Sequence, residues 1–347
     1  MNKRIIFSLA AAVMVSFSSI MSAQSTVSGA GSTFVMPFVN AAFPKFAESA
    51  GIKFTYGGVG SGAGIRSLKD RVVDFGASDA FLTEKEAAEM PAKVVEFPIC
   101  SGGVVIAYNL PGITSIKLTP AVLSDIFLGK IKNWNDAALK KLNPGVKFPN
   151  KAITVVYRSD GSGTTAIFTD YLSKVSKEWK EKVGAGKTVN WPTGISAKGN
   201  PGVAGTITTT EGALGYEGSE YALLQKTSTV YLQNQSGKFI KATVASISAA
   251  GKDKMPADTR VMITNSSNPT AYPIAGFTWF IVYKEQNYNN RSLKQAQDLL
   301  KLLDWSLSAA PQEVAKKLSY APLPASVVTL NKRILRSVTY NGKPILK

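Results

Sequence analysis

Four short stretches, far apart in the chain, repeat one chemistry of small hydroxyls, glycines and backbone donors. They are residues 29–34 (Gly-Ala-Gly-Ser-Thr-Phe), 58–64 (Gly-Val-Gly-Ser-Gly-Ala-Gly), 74–79 (Asp-Phe-Gly-Ala-Ser-Asp) and 158–165 (Arg-Ser-Asp-Gly-Ser-Gly-Thr-Thr). Each precedes a segment that reads as a helix, so peptide N–H groups and the positive end of a helix dipole are expected to point out of each turn. Turns of this kind hold a buried oxyanion. None ends in Gly-Lys-Ser/Thr, so they do not form a nucleotide phosphate loop.

Two side chains narrow the guest. Arg158 offers a planar fork for a tetrahedral anion, and Asp160, two residues on, is placed to orient that fork and offset its charge. A buried guanidinium without such a partner is costly. Asp79 is the sharper residue, because an ionised carboxylate only accepts hydrogen bonds and beside an anion it repels. The arrangement makes sense when the guest carries a proton to donate, as HPO₄²⁻ or H₂PO₄⁻ does and fully ionised sulfate does not. A site built around such a bond discriminates by roughly 10⁴-fold.

These turns need rigid elements behind them. From residue 26 onward short apolar strands alternate with helical stretches, which predicts α/β architecture with largely parallel sheets. Strands are expected at 27–29, 53–56 and 74–78, and helices at 37–49 and 65–70. Glycine-rich strand-to-helix turns are where open α/β sheets bind ligands. The strongest β-type runs, 104–109 and 277–284, bracket a block with its own strands (153–157, 213–216, 230–233) and helices (121–127, 136–142, 164–175). The chain after Tyr283 reads as helical. The expected plan is a leader over 1–24, a first lobe from 25–107 and 274–347, a second lobe from 108–273, and a cleft between them.

Composition removes several function classes. The 347 residues include no histidine, which excludes His-based acid/base catalysis, Ser-His-Asp and Cys-His systems and the usual zinc sites; no cofactor and no metal is expected. The single cysteine, Cys100, forms no intramolecular disulfide. Lys3 and Arg4, the apolar run 5–17 and the small residues Ser22, Ala23 and Ser25 read as a cleavable secretory signal. No Cys follows that run, so export to a periplasm without a lipid anchor is expected. The formal charge is +17, a field that favours anions. The lysines are scattered at spacings of solvated helix faces, and no nucleic-acid partner is expected.

The sequence resembles a known family in the segments 29–34, 56–62 (Tyr-Gly-Gly-Val-Gly-Ser-Gly), 73–80, 125–134 (Asp-Ile-Phe-Leu-Gly-Lys-Ile-Lys-Asn-Trp), 158–164, 198–200 (Lys-Gly-Asn) and 212–216 (Gly-Ala-Leu-Gly-Tyr). In order, from about Ser28 to the Gly342-Lys-Pro segment, these are similar to the phosphate-binding component of the bacterial ABC phosphate transporter. The resemblance implies a type II periplasmic binding-protein fold and a monomer that closes on one phosphate ion and delivers it to an ABC permease in the inner membrane. It implies, as ligands, Thr33, the backbone of Phe34, Ser61, Asp79, Arg158, Ser162, the backbone of Gly163, and Thr164, with Asp160 behind Arg158 and no catalytic residue. The second turn departs from the family's frequent Gly-Ser-Ser-Gly-Gly, and 225–271 aligns poorly. Two alternatives remain: a secreted phosphomonoesterase using Ser61 or Ser162 as nucleophile, and a basic surface protein that binds polyanions.

Overall fold

The computed structural model describes residues 25–252 and 255–346. The leader expected over 1–24 lies outside the described residues.

Three parallel strands open the first lobe. Thr26–Gly31 lies between Lys53–Gly58 and Phe75–Ser78, paired in parallel with both. The chain's return strand, Ala275–Tyr283, then adds antiparallel to Phe75–Ser78. The second lobe repeats the theme with Ala213–Gly218, Thr154–Arg158 and Ile195–Ala197, mutually parallel in that spatial order.

One long strand, Val94–Tyr108, joins the lobes. Through Gly103 it pairs antiparallel with the return strand, and from Val104 onward it pairs antiparallel with Ala213–Gly218. The path is therefore mixed. The largely parallel sheets expected from strand–helix alternation hold within each lobe, and antiparallel ladders run through the middle, where the chain crosses between lobes. Residues 94–103 were not expected as strand. Pro98, Gly102 and Gly103 interrupt the β pattern there, and Gly102 is required because a Cβ would sit 2.4 Å from the Phe34 ring.

Aromatic packing holds each lobe. In the first, the rings of Phe75 and Phe280 lie 4.8 Å apart, and Phe43 meets Phe280 edge-on. In the second, Tyr216 stacks on Phe168 at 4.6 Å and on Trp191 at 5.5 Å. Fully buried side chains of this size contribute roughly 1.5–3 kcal/mol each. The scaffold behind the turns is rigid for that reason.

The helices follow the strands closely: Met36–Ser49, Ser61–Lys69, Gly163–Val175 and Gly199–Thr209. The third glycine-rich turn is an exception. After Asp79 the chain runs through Ala80–Thr83 before a five-residue helix, Glu84–Ala88, capped by Thr83. Asp79 thus sits on no helix N-terminus.

Candidate functional site

The parallel strands end where the lobes meet, and their C-terminal turns face one another across the cleft. Thr33, Phe34, Ser61, Asp79, Arg158, Ser162 and Thr164 are all buried there. Gly163 is buried with them, packed so closely against the other lobe that a Cβ would lie 2.5 Å from the Asp79 nitrogen and 2.6 Å from Ser61 Oγ.

The hydroxyls accept hydrogen bonds from N–H groups around them. Thr33 Oγ1 accepts from the Asn200 backbone N–H and from its side-chain amide, both at 3.0 Å. Ser61 Oγ accepts from the N–H of Gly163 at 3.0 Å and of Asp79 at 3.3 Å. Thr164 Oγ1 accepts from Asn200 Nδ2 at 3.1 Å and from Arg158 Nη1 at 3.4 Å. Ser162 Oγ accepts from Thr165 N–H at 3.0 Å as the cap of Gly163–Val175. A hydroxyl has one proton and two lone pairs. Thr33, Ser61 and Thr164 have two lone pairs taken, so what remains to them is donation, while Ser162 accepts one bond and keeps one lone pair.

The two backbone donors are engaged too. Phe34 N–H donates to Ser32 Oγ at 3.0 Å, and Gly163 N–H to Ser61 as above. Neither Ser61 nor Ser162 donates to a carboxylate among the described residues.

Arg158 is fixed on one edge. Its Nε and Nη2 donate to Asp160 Oδ1 and Oδ2 at 2.8 and 2.6 Å, which leaves the Nη1 side for the cleft. Asp160 also accepts Gly199 N–H at 3.0 Å. Burial works to raise the Asp160 pKa, but Arg158 and that amide outweigh it and hold the carboxyl below its usual range. Behind Arg158, the Tyr216 hydroxyl accepts the Arg158 backbone N–H at 3.1 Å and pairs with Thr165 Oγ1 at 2.5 Å. The second lobe's aromatic stack thereby positions the guanidinium strand.

Asp79 is 1% exposed. Its Oδ1 accepts from Ser32 Oγ at 2.5 Å and Thr278 Oγ1 at 2.7 Å, and its Oδ2 faces Thr164 Oγ1 at 3.5 Å. Burial pushes its pKa up to about 6, while the Ser32 and Thr278 hydroxyls, Arg158 and Thr164 pull the other way. The group stays ionised at neutral pH, and it is an acceptor only.

Four helices of nine residues or more begin at or just beyond these turns, at Met36, Ser61, Gly163 and Gly199. Each N-terminus favours an anion by about 0.3–2 kcal/mol depending on burial. These N-termini oppose the net negative charge that Asp79 and Asp160 leave beside Arg158. Ser32, Asn200, Thr278 and Tyr216 were not named as site residues from sequence. Ser32 and Asn200 lie inside motifs that were recognised, Tyr216 in the recognised segment 212–216, and Thr278 in a strand read as core.

A two-lobed α/β scaffold, with strand ends, helix N-termini, donor hydroxyls and one proton-accepting carboxylate gathered between the lobes, defines a binding protein for a small oxyanion. A family model described as a PBP superfamily domain matches residues 19–310. The phosphate-binding protein PstS of Xylella fastidiosa (strain 9a5c) is 40% identical over 307 residues, covering 87% of this chain and 82% of that protein. PstS of Haemophilus influenzae is 39% identical over 312 residues, 88% of this chain and 91% of its own. The structure of a high-affinity periplasmic phosphate-binding protein, PfluDING, bound with phosphate at pH 8.5 superposes with a TM-score of 0.71 at 20% identity, over 92% of this chain and all of that one. The chain belongs to the PstS phosphate-binding proteins of the PBP superfamily.

Proposed function

We propose that the chain binds one inorganic phosphate ion between its lobes and hands it to an ABC-type permease. It does so as a monomeric receptor without turnover, in the periplasm, after removal of a leader over 1–24. The lobes are assigned to 25–107 with 274–347, and to 108–273. The ligands are Thr33, the Phe34 backbone, Ser61, Asp79, Arg158, Ser162, the Gly163 backbone and Thr164, with Asp160 holding Arg158. On binding, the N–H groups of Phe34 and Gly163 are shared between Ser32 or Ser61 and a phosphate oxygen.

One observation carries this reading. Three hydroxyls with both lone pairs engaged, Thr33, Ser61 and Thr164, are left only donation, and they share the cleft with Asp79, a buried carboxylate with a pKa of about 6 that accepts when ionised. Phosphate at neutral pH has oxygens for the donors and a proton for Asp79. Sulfate has the oxygens and no proton, so it meets Asp79 with unpaired lone pairs in a dry site. The binding reading is also supported over hydrolysis by the engagement of Ser61 and Ser162, which accept from N–H groups and are held by no base.

Titration calorimetry at pH 7 tests it. Phosphate is expected to bind with one site per chain, and sulfate at equal concentration to give no competition. Equal binding of the two ions would reject the assignment of Asp79. A chromogenic phosphoester turned over by the pure protein would reject the receptor class.

A further inference from the structure

We propose that Thr278 is a positioning residue for selectivity: the pairing of the return strand with Phe75–Ser78 sets its hydroxyl on Asp79 Oδ1, so that Oδ2 alone is left to take the guest's proton. The inference rests on the phosphate reading above and adds how its acceptor is aimed and kept charged.

All nine residues of Ala275–Tyr283 are buried. Thr278 is the one hydroxyl in this strand with carbon-rich or aromatic neighbours on both sides (Ala-Gly-Phe-Thr-Trp-Phe-Ile-Val-Tyr). A buried hydroxyl requires a partner, and its partner is Asp79, at 2.7 Å. The ladder to Val94–Tyr108 slips at the same place: Thr278 pairs with Cys100, but Trp279 pairs with Pro98, so one residue of the long strand is left over. On its other edge the return strand pairs without a slip: Trp279 is in register with Ser78, so Thr278 comes opposite Asp79, the next residue.

Ser32 Oγ donates to the same oxygen at 2.5 Å while accepting from Phe34 N–H at 3.0 Å and Val35 N–H at 3.3 Å. Oδ1 thus carries two hydroxyl donors, and the carboxylate cannot swing to present it. Oδ2 keeps only the long contact with Thr164. Thr278 also favours the charged state of a group that burial pushes toward neutrality. Arg158 acts in the same sense. The charge of Asp79 in turn acts on Glu220, Tyr56, Tyr221, Tyr320 and Cys100, which burial already pushes toward their neutral forms.

The test is phosphate calorimetry from about pH 5.5 to about pH 9 on the wild type, Thr278→Val and Thr278→Ser. The guest's own titration is common to all three and cancels. In Thr278→Val, which keeps the shape of the strand, the acid limb of the affinity profile is expected to move up by about one pH unit. That means about fivefold weaker binding near pH 6, approaching tenfold at lower pH, and convergence on the wild type near pH 9. Thr278→Ser, which restores the donor, returns most of the shift. A loss of equal size at every pH overturns the role of Thr278 and leaves the phosphate reading standing, whereas a wild type that binds no phosphate removes the reading itself. If Thr278→Val does not fold, the ¹³C resonance of the Asp79 carboxyl in the wild type decides. It is expected to be ionised at pH 7, and a protonated Asp79 at that pH overturns the inference.

Discussion

Asn200 grips Thr33 twice from the opposite lobe, through its backbone N–H and its side-chain amide, each 3.0 Å from Thr33 Oγ1. The same amide reaches Thr164 at 3.1 Å, and its oxygen accepts Gly218 N–H at 3.1 Å. Asn200 is fully buried, and its bonds to Thr33 exist only while the lobes are together. It therefore links closure to the orientation of two donor hydroxyls.

Asn200→Ala strands the Gly218 N–H and frees lone pairs on Thr33 and Thr164. Each unsatisfied buried group costs about 1–3 kcal/mol. Phosphate affinity is expected to fall by about 10- to 100-fold, measured by calorimetry, with the secondary structure unchanged by circular dichroism. A variant within twofold of the wild type would show that closure does not depend on this contact.

Asp79→Asn has a predictable orientation. Ser32 and Thr278 both donate to the position of Oδ1, so the amide oxygen must lie there and the NH₂ must take the place of Oδ2, facing the guest. A donor then stands where an acceptor stood. Sulfate is expected to bind, while phosphate loses about tenfold or less, because one charge-assisted bond is exchanged for an ordinary one. The wild type should also weaken as pH falls through about 6, when Asp79 takes up its own proton and stops accepting, and the variant should lack that step. Competition calorimetry with both ions at pH 5.5 and 7.5 checks both, and continued exclusion of sulfate by the variant would count against the proton-acceptance logic.

Gly163→Ala separates closure from folding. Gly163 opens a 13-residue helix, where alanine is intrinsically favoured by roughly 1 kcal/mol. Its new Cβ would collide with Asp79 and Ser61, both from the first lobe, at 2.5–2.6 Å. The folded protein is therefore expected to keep or raise its melting temperature without ligand and to lose about 100-fold or more in phosphate affinity, since the contacts of the closed state do not form. Small-angle scattering with saturating phosphate should show no compaction. Compaction equal to that of the wild type would mean that the lobes tolerate the methyl group.

Much of this site is legible in sequence because its parts are local. A hydroxyl or N–H at a strand-to-helix turn is placed by the two elements that flank it, so the turns that carry Thr33, Ser61, Ser162 and Thr164 can be read from glycine, serine and threonine spacing, while the choice of those residues within the turns rests on the family resemblance. Contacts made by tertiary register are not. Thr278 reaches Asp79 because the return strand pairs antiparallel with Phe75–Ser78 with Trp279 opposite Ser78, and nothing in the run Phe-Thr-Trp-Phe records that register. Asn200 begins a helix whose Pro201, Gly202 and Gly205 hide its period. Asp79 itself was read as preceding a helix; it begins none, and burial is the largest influence on its charge.

Glu217 offers a test of stability apart from binding. It is fully buried, neither carboxyl oxygen has a hydrogen-bond partner among the described residues, and burial pushes its pKa from 4.5 to about 8. Between those values the folded protein holds a proton that the unfolded chain has released, so Glu217 makes stability fall as pH rises from about 4.5 to about 8. Glu217→Gln keeps the neutral shape and removes the titration. In denaturant unfolding of the phosphate-free protein, the variant is expected to gain on the wild type steadily across this window, reaching a difference on the order of 1–5 kcal/mol by about pH 8. A difference that stays constant from pH 5 to pH 8 would mean that Glu217 finds a partner or water in the folded protein and ionises normally.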